Sequence, residues 1–332
     1  HETDGEGYIG VAGSVEVNSV VAVTGASGFV GAALCGELNV RGFAVRGAVR
    51  SLHSNFSASG VKFFSVGNLD AATDWSSALA GVDCVIHCAA RAHVMQESET
   101  DALAAYRLAN VDGSRRLAEQ AAAAGVRRLV YLSSIKVNGE QTALEAPFLF
   151  LDAPAPRDCY GVTKWEAEQV LWAVAANTGL EVVVVRPPLV YGPDTKGNLA
   201  RLLKLVRSGV PLPLGAVQNQ RSLIGIDNLV DLLIRCVDHP AAAGQTLLVS
   251  DDKDVSTPDL LRHIAAGLGC SAVLLPVPVP LLRFAGRALR KQAEVDRLVG
   301  SLQIDSRHTR ELLDWSPPVS VAEGIRRMVQ GS

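Results

Sequence analysis

Tyr160 and Lys164 stand four residues apart in YGVTK. On a helix that spacing puts both side chains on one face, one turn apart. An ammonium one turn from a phenol favours the phenolate, and is expected to draw the tyrosine pKa down from about 10 toward working pH. Two hydroxyls, Ser133 and Ser134, close an apolar run upstream, RRLVYLSS. A hydroxyl at such a strand end can hydrogen-bond the same substrate oxygen. The set reads as a tyrosine general acid/base, assisted by lysine and serine, beside a hydride carrier. A Tyr/Lys pair also arises by chance on helix surfaces, so its company decides.

That company is TGASGFVG, residues 24–31. The apolar run Val20, Val21, Ala22, Val23 precedes it, and Ala33, Leu34, Cys35 and Leu38 follow with helical spacing. The order is strand, glycine turn, helix. Gly25 permits the tight turn, Gly28 lets backbone approach a pyrophosphate, and Gly31 lets the helix pack closely. Phosphates would sit on free N–H groups at the helix start, where the dipole is positive. The glycine spacing is one residue off the commoner dinucleotide form, and a purely structural turn is the alternative. Position and neighbours favour dinucleotide binding.

Further strands are predicted at 42–50, 61–69, 82–90, 127–134 and 181–187, and helices at 75–79, 101–124 and 160–178. Near-continuous apolar strands alternating with helices predict an α/β fold, a Rossmann-like doubly wound parallel sheet covered on both faces. Ligands then bind at the carboxyl ends of the strands. After Arg186 the character changes, with Pro187, Pro188, Pro193, Pro211 and Pro213 as punctuation. Residues 222–237 read as a short strand feeding a helix, and 245–249 as another strand. A helix at 257–268 is opened by Ser256 or Thr257 with Pro258 behind it. Ser320 and Glu323 form a capping-box pattern before a last helix. The expected organisation is a loose tail or expression remnant at 1–18 and a cofactor domain at 19–186 that takes in roughly 222–248. A smaller mixed α/β substrate domain, a candidate lid, comes from 187–221 and 249–332.

A formal charge of −3, 48% hydrophobic and 20% charged residues describe an ordinary globule with no bias toward nucleic acid. No apolar run approaches a membrane span, and the first residues do not read as a secretory signal. LLRFAGRALRK (281–291) is read as a helix of the smaller domain rather than a membrane-surface helix. Six scattered cysteines without CxxC exclude a zinc or disulfide framework and suit a cytoplasmic protein without metal.

These motifs together resemble the extended short-chain dehydrogenases/reductases, the NAD-dependent epimerase/dehydratase family of nucleotide-sugar enzymes. TGASGFVG matches its cofactor turn, VIHCAA its fourth strand and ANVDG its helix asparagine, Asn110. YLSSIKVNG matches the serine strand, YGVTK the catalytic helix and RPPLVYGP the sixth-strand exit. RSLIGIDNL resembles the segment whose arginine contacts the substrate's phosphate. The resemblance implies Ser134 as the active hydroxyl, with Ser133 the alternative register, Tyr160 as acid/base and Lys164 as its helper. Cofactor contacts would come from Gly25, Ser27, Gly28, Phe29, Val30 and Gly31 of the turn, from Ala89, Ala90 and Lys164, and from Asn110, unless Asn110 only fixes the helix. Arg50, Asn68 and Leu69 would border the adenosine. Arg221 would hold the nucleotide-sugar pyrophosphate. A homodimer through the two long helices is also implied.

The departures from the family pattern set the specificity reading. Arg50 replaces the usual ribose-binding acid, which favours NADP and leaves NAD open. Asn68 stands for an acid near adenine, Asn138 for a tyrosine, and Cys159 for a proline. Ile135 and Lys136 follow Ser134 where dehydratases carry Asp-Glu, which argues against dehydration. Arg91, His93 and Lys136 are candidate substrate contacts, and His87 reads as a packed core histidine. The leading expectation is reduction at C4 of a UDP-4-keto-6-deoxy-N-acetylhexosamine in surface polysaccharide synthesis. The runner-up is a UDP-hexose 4-epimerase (UDP-glucose or UDP-GlcNAc) that keeps NAD bound. A non-catalytic NAD(P)-sensing protein is the reading from another class.

Overall fold

A computed structural model describes residues 19–52, 59–92, 99–195 and 197–331. The tail at 1–18 and His93 lie outside the described residues. Seven parallel strands form the main sheet: β1 (Val20–Thr24), β2 (Ala44–Val49), β3 (Val61–Ser65), β4 (Cys84–His87), β5 (Arg128–Leu132), β6 (Glu181–Arg186) and β9 (Thr246–Leu248). Their order is β3-β2-β1-β4-β5-β6-β9. β7 (Leu189–Tyr191) and β8 (Leu223–Gly225) pair in parallel as a separate ribbon. The chain leaves β1 for β2 on one side and returns to β4 on the other, which opens a crevice at the carboxyl ends between them.

Strand residues alternate between faces, and both faces are covered, so the runs are apolar throughout. Val21, Val23, Ile86, Val130 and Val183 pack against α1 (Phe29–Val40) and α7 (Ile226–Asp238). Ala22, Val85, Leu129, Val182 and Val184 face α4 (Gly113–Ala123) and α5 (Cys159–Thr178), with Trp75 and Leu79 of the short α2 (Ser76–Leu79) region closing that layer. A second core lies beyond the sheet. It joins α6 (Asn198–Arg207), α8 (Thr257–Gly267) and α12 (Val321–Gln330) through Leu202, Leu261, Ile264, Ile325 and Met328. α9 (Val279–Ala288) and α10 (Gln292–Val299) form a hairpin beside it, and α11 (Arg307–Leu313) returns toward the sheet.

The expected helix at 101–124 is not one α-helix. It is α3 (Glu99–Arg107), a wide π turn at Leu108–Asp112, and α4. The turn carries Asn110 inward, where its side chain finds three polar partners described below. Such turns in helices frequently mark functional sites. Ser256 caps α8 by accepting from Asp259 N at 3.1 Å. At α12 the capping box is half made. Ser320 accepts from Glu323 N, but the Glu323 carboxylate pairs with Arg326 and Arg327 instead of reaching back. All six cysteines are free. No described helix is long and apolar enough to cross a membrane.

Candidate active site

The crevice at the strand-order reversal is a cleft of about 660 Å³. Gly25, Ser27 and Gly28 form its floor, Arg50, Asn68 and Leu69 one wall, and Ala89, Ala90 and Arg91 the other. Gly25 takes φ +66°, and a Cβ there would lie 2.9 Å from Ala89 backbone. A Cβ on Gly31 would lie 2.1 Å from the Gly25 carbonyl oxygen. Helix α1 starts after Gly28 without a side-chain cap, so its first N–H groups are left for an anion. The cleft, the close backbone approach and the uncapped helix fit a dinucleotide. Phe29, Val30 and Gly31 supply that first turn. Gly31→Ala is expected to open the turn, costing about 1–3 kcal/mol and weakening NADH binding at least tenfold; unchanged fluorescence titration with NADH would contradict this.

One wall was not foreseen. Ala105, Leu108 and Ala109, from α3 and the π turn, also line the cleft. Asn110 itself is not a lining residue. Its Oδ1 accepts from Arg91 N at 2.7 Å, and its Nδ2 donates to Arg91 O and to Thr163 Oγ1 on α5. It therefore ties the exit of β4 to the helix that carries Tyr160.

His87 is fully buried between two hydroxyls. Ser114 Oγ donates to Asn110 O, so it accepts from His87 Nε2 at 2.9 Å. Thr24 Oγ1 accepts from Ala89 N and gives its proton to His87 Nδ1 at 2.6 Å. The ring is thus neutral with its proton on Nε2, and burial, with Lys164 nearby, holds its pKa down to about 3. The unfolded ring titrates near 6.5, so only the unfolded state takes up the proton between these values. Stability from this site is complete above pH 6.5 and is lost as pH falls toward 3. Compared with His87→Gln in denaturant melts, the wild-type advantage should shrink by up to about 1.4 kcal/mol per pH unit below 6.5.

Tyr160 and Lys164 stand on the first two turns of α5, outside the residues that line the cleft. Asp158 caps α5, accepting from Gly161 N at 2.7 Å. A Cβ on Gly161 would lie 2.8 Å from Lys136 O, so the first turn of α5 lies against the short turn that Ser134 opens. Lys164 is buried, donates from Nζ to Leu132 O at 2.8 Å, and lies 5.8 Å from the Tyr160 ring centre. Burial lowers its pKa to about 8, with Cys88 and Glu168 opposing.

The acidified phenol expected from the sequence is not produced by the protein's own groups. Burial raises the Tyr160 pKa, and Asp158 and Tyr106 add to the rise. Burial dominates the rise, and the Lys164 ammonium, 5.8 Å from the ring centre and bonded to Leu132 O, does not offset it. The structure places Ser133 and Ser134 differently. Ser133 Oγ donates to Glu168 Oε1 at 2.5 Å inside the core. Ser134 is part-exposed, and its Oγ accepts only from Lys136 N among the described hydrogen bonds. Glu168 also pairs with Arg186 at 2.5 Å, and Arg186 Nη1 donates to Asn138 Oδ1. This buried cluster was missed, although Tyr160, Lys164 and Glu168 share one helix face at successive spacings of four.

The substrate candidates separate. Lys136 is engaged by Asp158 and lies 3.8 Å from Glu140, which anchors it at the α5 cap. Arg91 lies at the cleft mouth, its guanidinium 5.9 Å from the Tyr106 ring centre. Arg221 Nη1 donates to the carbonyls of Arg297 and Gly300 at the end of α10. No carboxylate is paired with Arg221 among the described residues. Leu302, paired with Arg221, packs with Ile135 beside Ser134, so both sit in one neighbourhood.

Residues 21–249 match the family model described as "NAD dependent epimerase/dehydratase family". The chain belongs to the NAD-dependent epimerase/dehydratase family. It is thus an extended short-chain dehydrogenase/reductase, as its motifs indicated, and an NAD-dependent enzyme, the cofactor the sequence had left open beside NADP. It is 45% identical over 312 residues to a UDP-glucose 4-epimerase of Vibrio cholerae, covering 93% of this chain and 94% of that one. It is 26% identical to the Escherichia coli O157:H7 N-acetyl-alpha-D-glucosaminyl-diphospho-ditrans,octacis-undecaprenol 4-epimerase, over 81% and 78% of the two chains. The fold matches the UDP-glucuronic acid 4-epimerase of Bacillus cereus in complex with NAD, with a TM-score of 0.74, 21% identity, and 94% and 98% coverage.

Proposed function

We propose that this family member is a UDP-hexose 4-epimerase working with a retained NAD. The carrying observation is its 45% identity, over nearly the whole length of both chains, to a UDP-glucose 4-epimerase. That likeness favours the runner-up of the sequence reading over the 4-keto reductase. It also outweighs Arg50 as a pointer to NADP and to a cofactor exchanged at each turnover.

NAD, when bound, would supply reversible hydride exchange. The chain's residues do the rest. Tyr160 takes the C4 hydroxyl proton as hydride leaves C4, giving a 4-ketose. After the sugar turns over, Tyr160 returns the proton as hydride adds to the opposite face. Lys164, whose other Nζ protons are not committed to Leu132, holds the phenolate and the cofactor ribose. Ser134 donates to the C4 oxygen. Arg221 grips the diphosphate from the second core, which serves as the substrate-binding unit.

The test is to denature the purified protein and identify the released nucleotide, then incubate the native protein with UDP-glucose and assay UDP-galactose. Released NAD and interconversion without added cofactor are expected. An empty protein that consumes added NADPH with a 4-keto sugar nucleotide would restore the reductase.

A further inference from the structure

Helix α9, read from sequence as a helix of the smaller domain rather than a membrane-surface helix, is covered on one side only. Val279, Leu282 and Gly286 face the second core and α10, where a Cβ on Gly286 would meet Val295 at 2.8 Å. The other side carries Leu281, Phe284, Ala285 and Ala288 at i, i+3, i+4 and i+7, followed by Leu289. Leu281 is 56% exposed, and Phe284 and Leu289 are each 69% exposed. Large apolar side chains repeated along an open helix face mark an interaction surface.

The charges beside this stripe are of one sign. Residues 279–291 contain Arg283, Arg287, Arg290 and Lys291 and no acid, in a chain whose formal charge is −3. Arg283 lies 3.6 Å from Asp296. No carboxylate is paired with Arg287, Arg290 or Lys291 among the described residues. On a helical wheel Arg283 and Arg287 flank one edge of the stripe and the packed residues flank the other, while Arg290 and Lys291 follow the end of α9, Arg290 at φ +55°.

We propose that α9 docks on an anionic phospholipid surface, with Leu281, Phe284 and Leu289 entering the acyl boundary and Arg287, Arg290 and Lys291 meeting the headgroups. An apolar stripe edged by cations is the pattern of an interfacial helix. A second copy of the chain fits the charge less well. A twofold contact through this face pairs the patch with itself and sets unpaired cations against one another. Docking would also orient the substrate unit, because the α10 end of the hairpin supplies the carbonyls that hold Arg221.

The experiment is co-sedimentation of the full chain with vesicles of phosphatidylcholine containing phosphatidylglycerol, against phosphatidylcholine alone, at low and high salt. Wild type is expected to bind the anionic vesicles and to be released by salt. Leu281→Ser/Phe284→Ser should weaken binding at least tenfold. Arg287→Gln/Arg290→Gln/Lys291→Gln should weaken it roughly 100-fold, at about fivefold per charge. Both variants should keep the wild-type melting temperature, since these side chains stand in the open. Wild type that ignores anionic vesicles, or variants that bind as wild type does, would overturn the proposal. So would a wild-type dimer, indifferent to vesicles, that the Leu281→Ser/Phe284→Ser change turns into a monomer; that result gives the face to a second copy.

Discussion

Tyr160→Phe is expected to lower epimerase turnover by about 10²–10⁴-fold, the usual share of a positioned acid/base, and to leave the fold and the NAD content unchanged. The ring stays: its edge contact with Tyr106, 6.5 Å between centres, needs no hydroxyl. Lys164 keeps its bond to Leu132 O. What is lost is the single oxygen that can carry the C4 proton in both directions. Interconversion of UDP-glucose and UDP-galactose is the readout, with released nucleotide and thermal melting as controls. A phenylalanine variant that turns over normally would take the acid/base role away from Tyr160.

The larger effect on stability is expected at Arg186→Leu. Glu168 is fully buried, and Arg186 is its cation, with Ser133 and Asn138 completing the hydrogen bonds. Removing the guanidinium leaves a carboxylate in the core without a counter-charge, at about 3–5 kcal/mol. The melting temperature should fall on the order of 10 °C. Glu168→Leu/Arg186→Leu should recover part of that loss, because apolar replacement of both charges is often close to neutral. Equal melting of wild type and Arg186→Leu would show that the pair does not hold the β5–α5–β6 corner together. A second consequence is local. With Ser133 turned in to Glu168, its neighbour Ser134 is the hydroxyl we propose for substrate.

The sheet was legible because its strands are near-continuous apolar runs separated by helical segments, some with a glycine or serine exit, as in VVAVTG and RRLVYLSS. Helical spacing, the upstream glycine turn and the serine strand end together picked out Tyr160 and Lys164, and the motif resemblance supported their roles. The tyrosine's environment was not legible. Whether Lys164 acidifies Tyr160 depends on where its ammonium is spent, and the acceptor, Leu132 O, is a backbone atom with no residue signature. Asn110 was visible as a motif residue, but the π turn that points it inward was not, since LANVDG reads as ordinary helix. The pairing of Glu168 with Arg186 had no signal in the sequence, because only the packing of α5 on β6 brings the two side chains together.

The π turn at Leu108–Asp112 carries chain that an α-helical path would not need. That extra residue sets the angular phase between α3 and α4. Each α-helical residue is worth about 100° of rotation, so shortening the turn by one would swing α3 by roughly a quarter-circle. Arg107 would leave Glu166, to which it is bound at 2.6 Å, and Ala105 would leave the cleft wall. At this point, then, the count of residues constrains the protein more tightly than their kind.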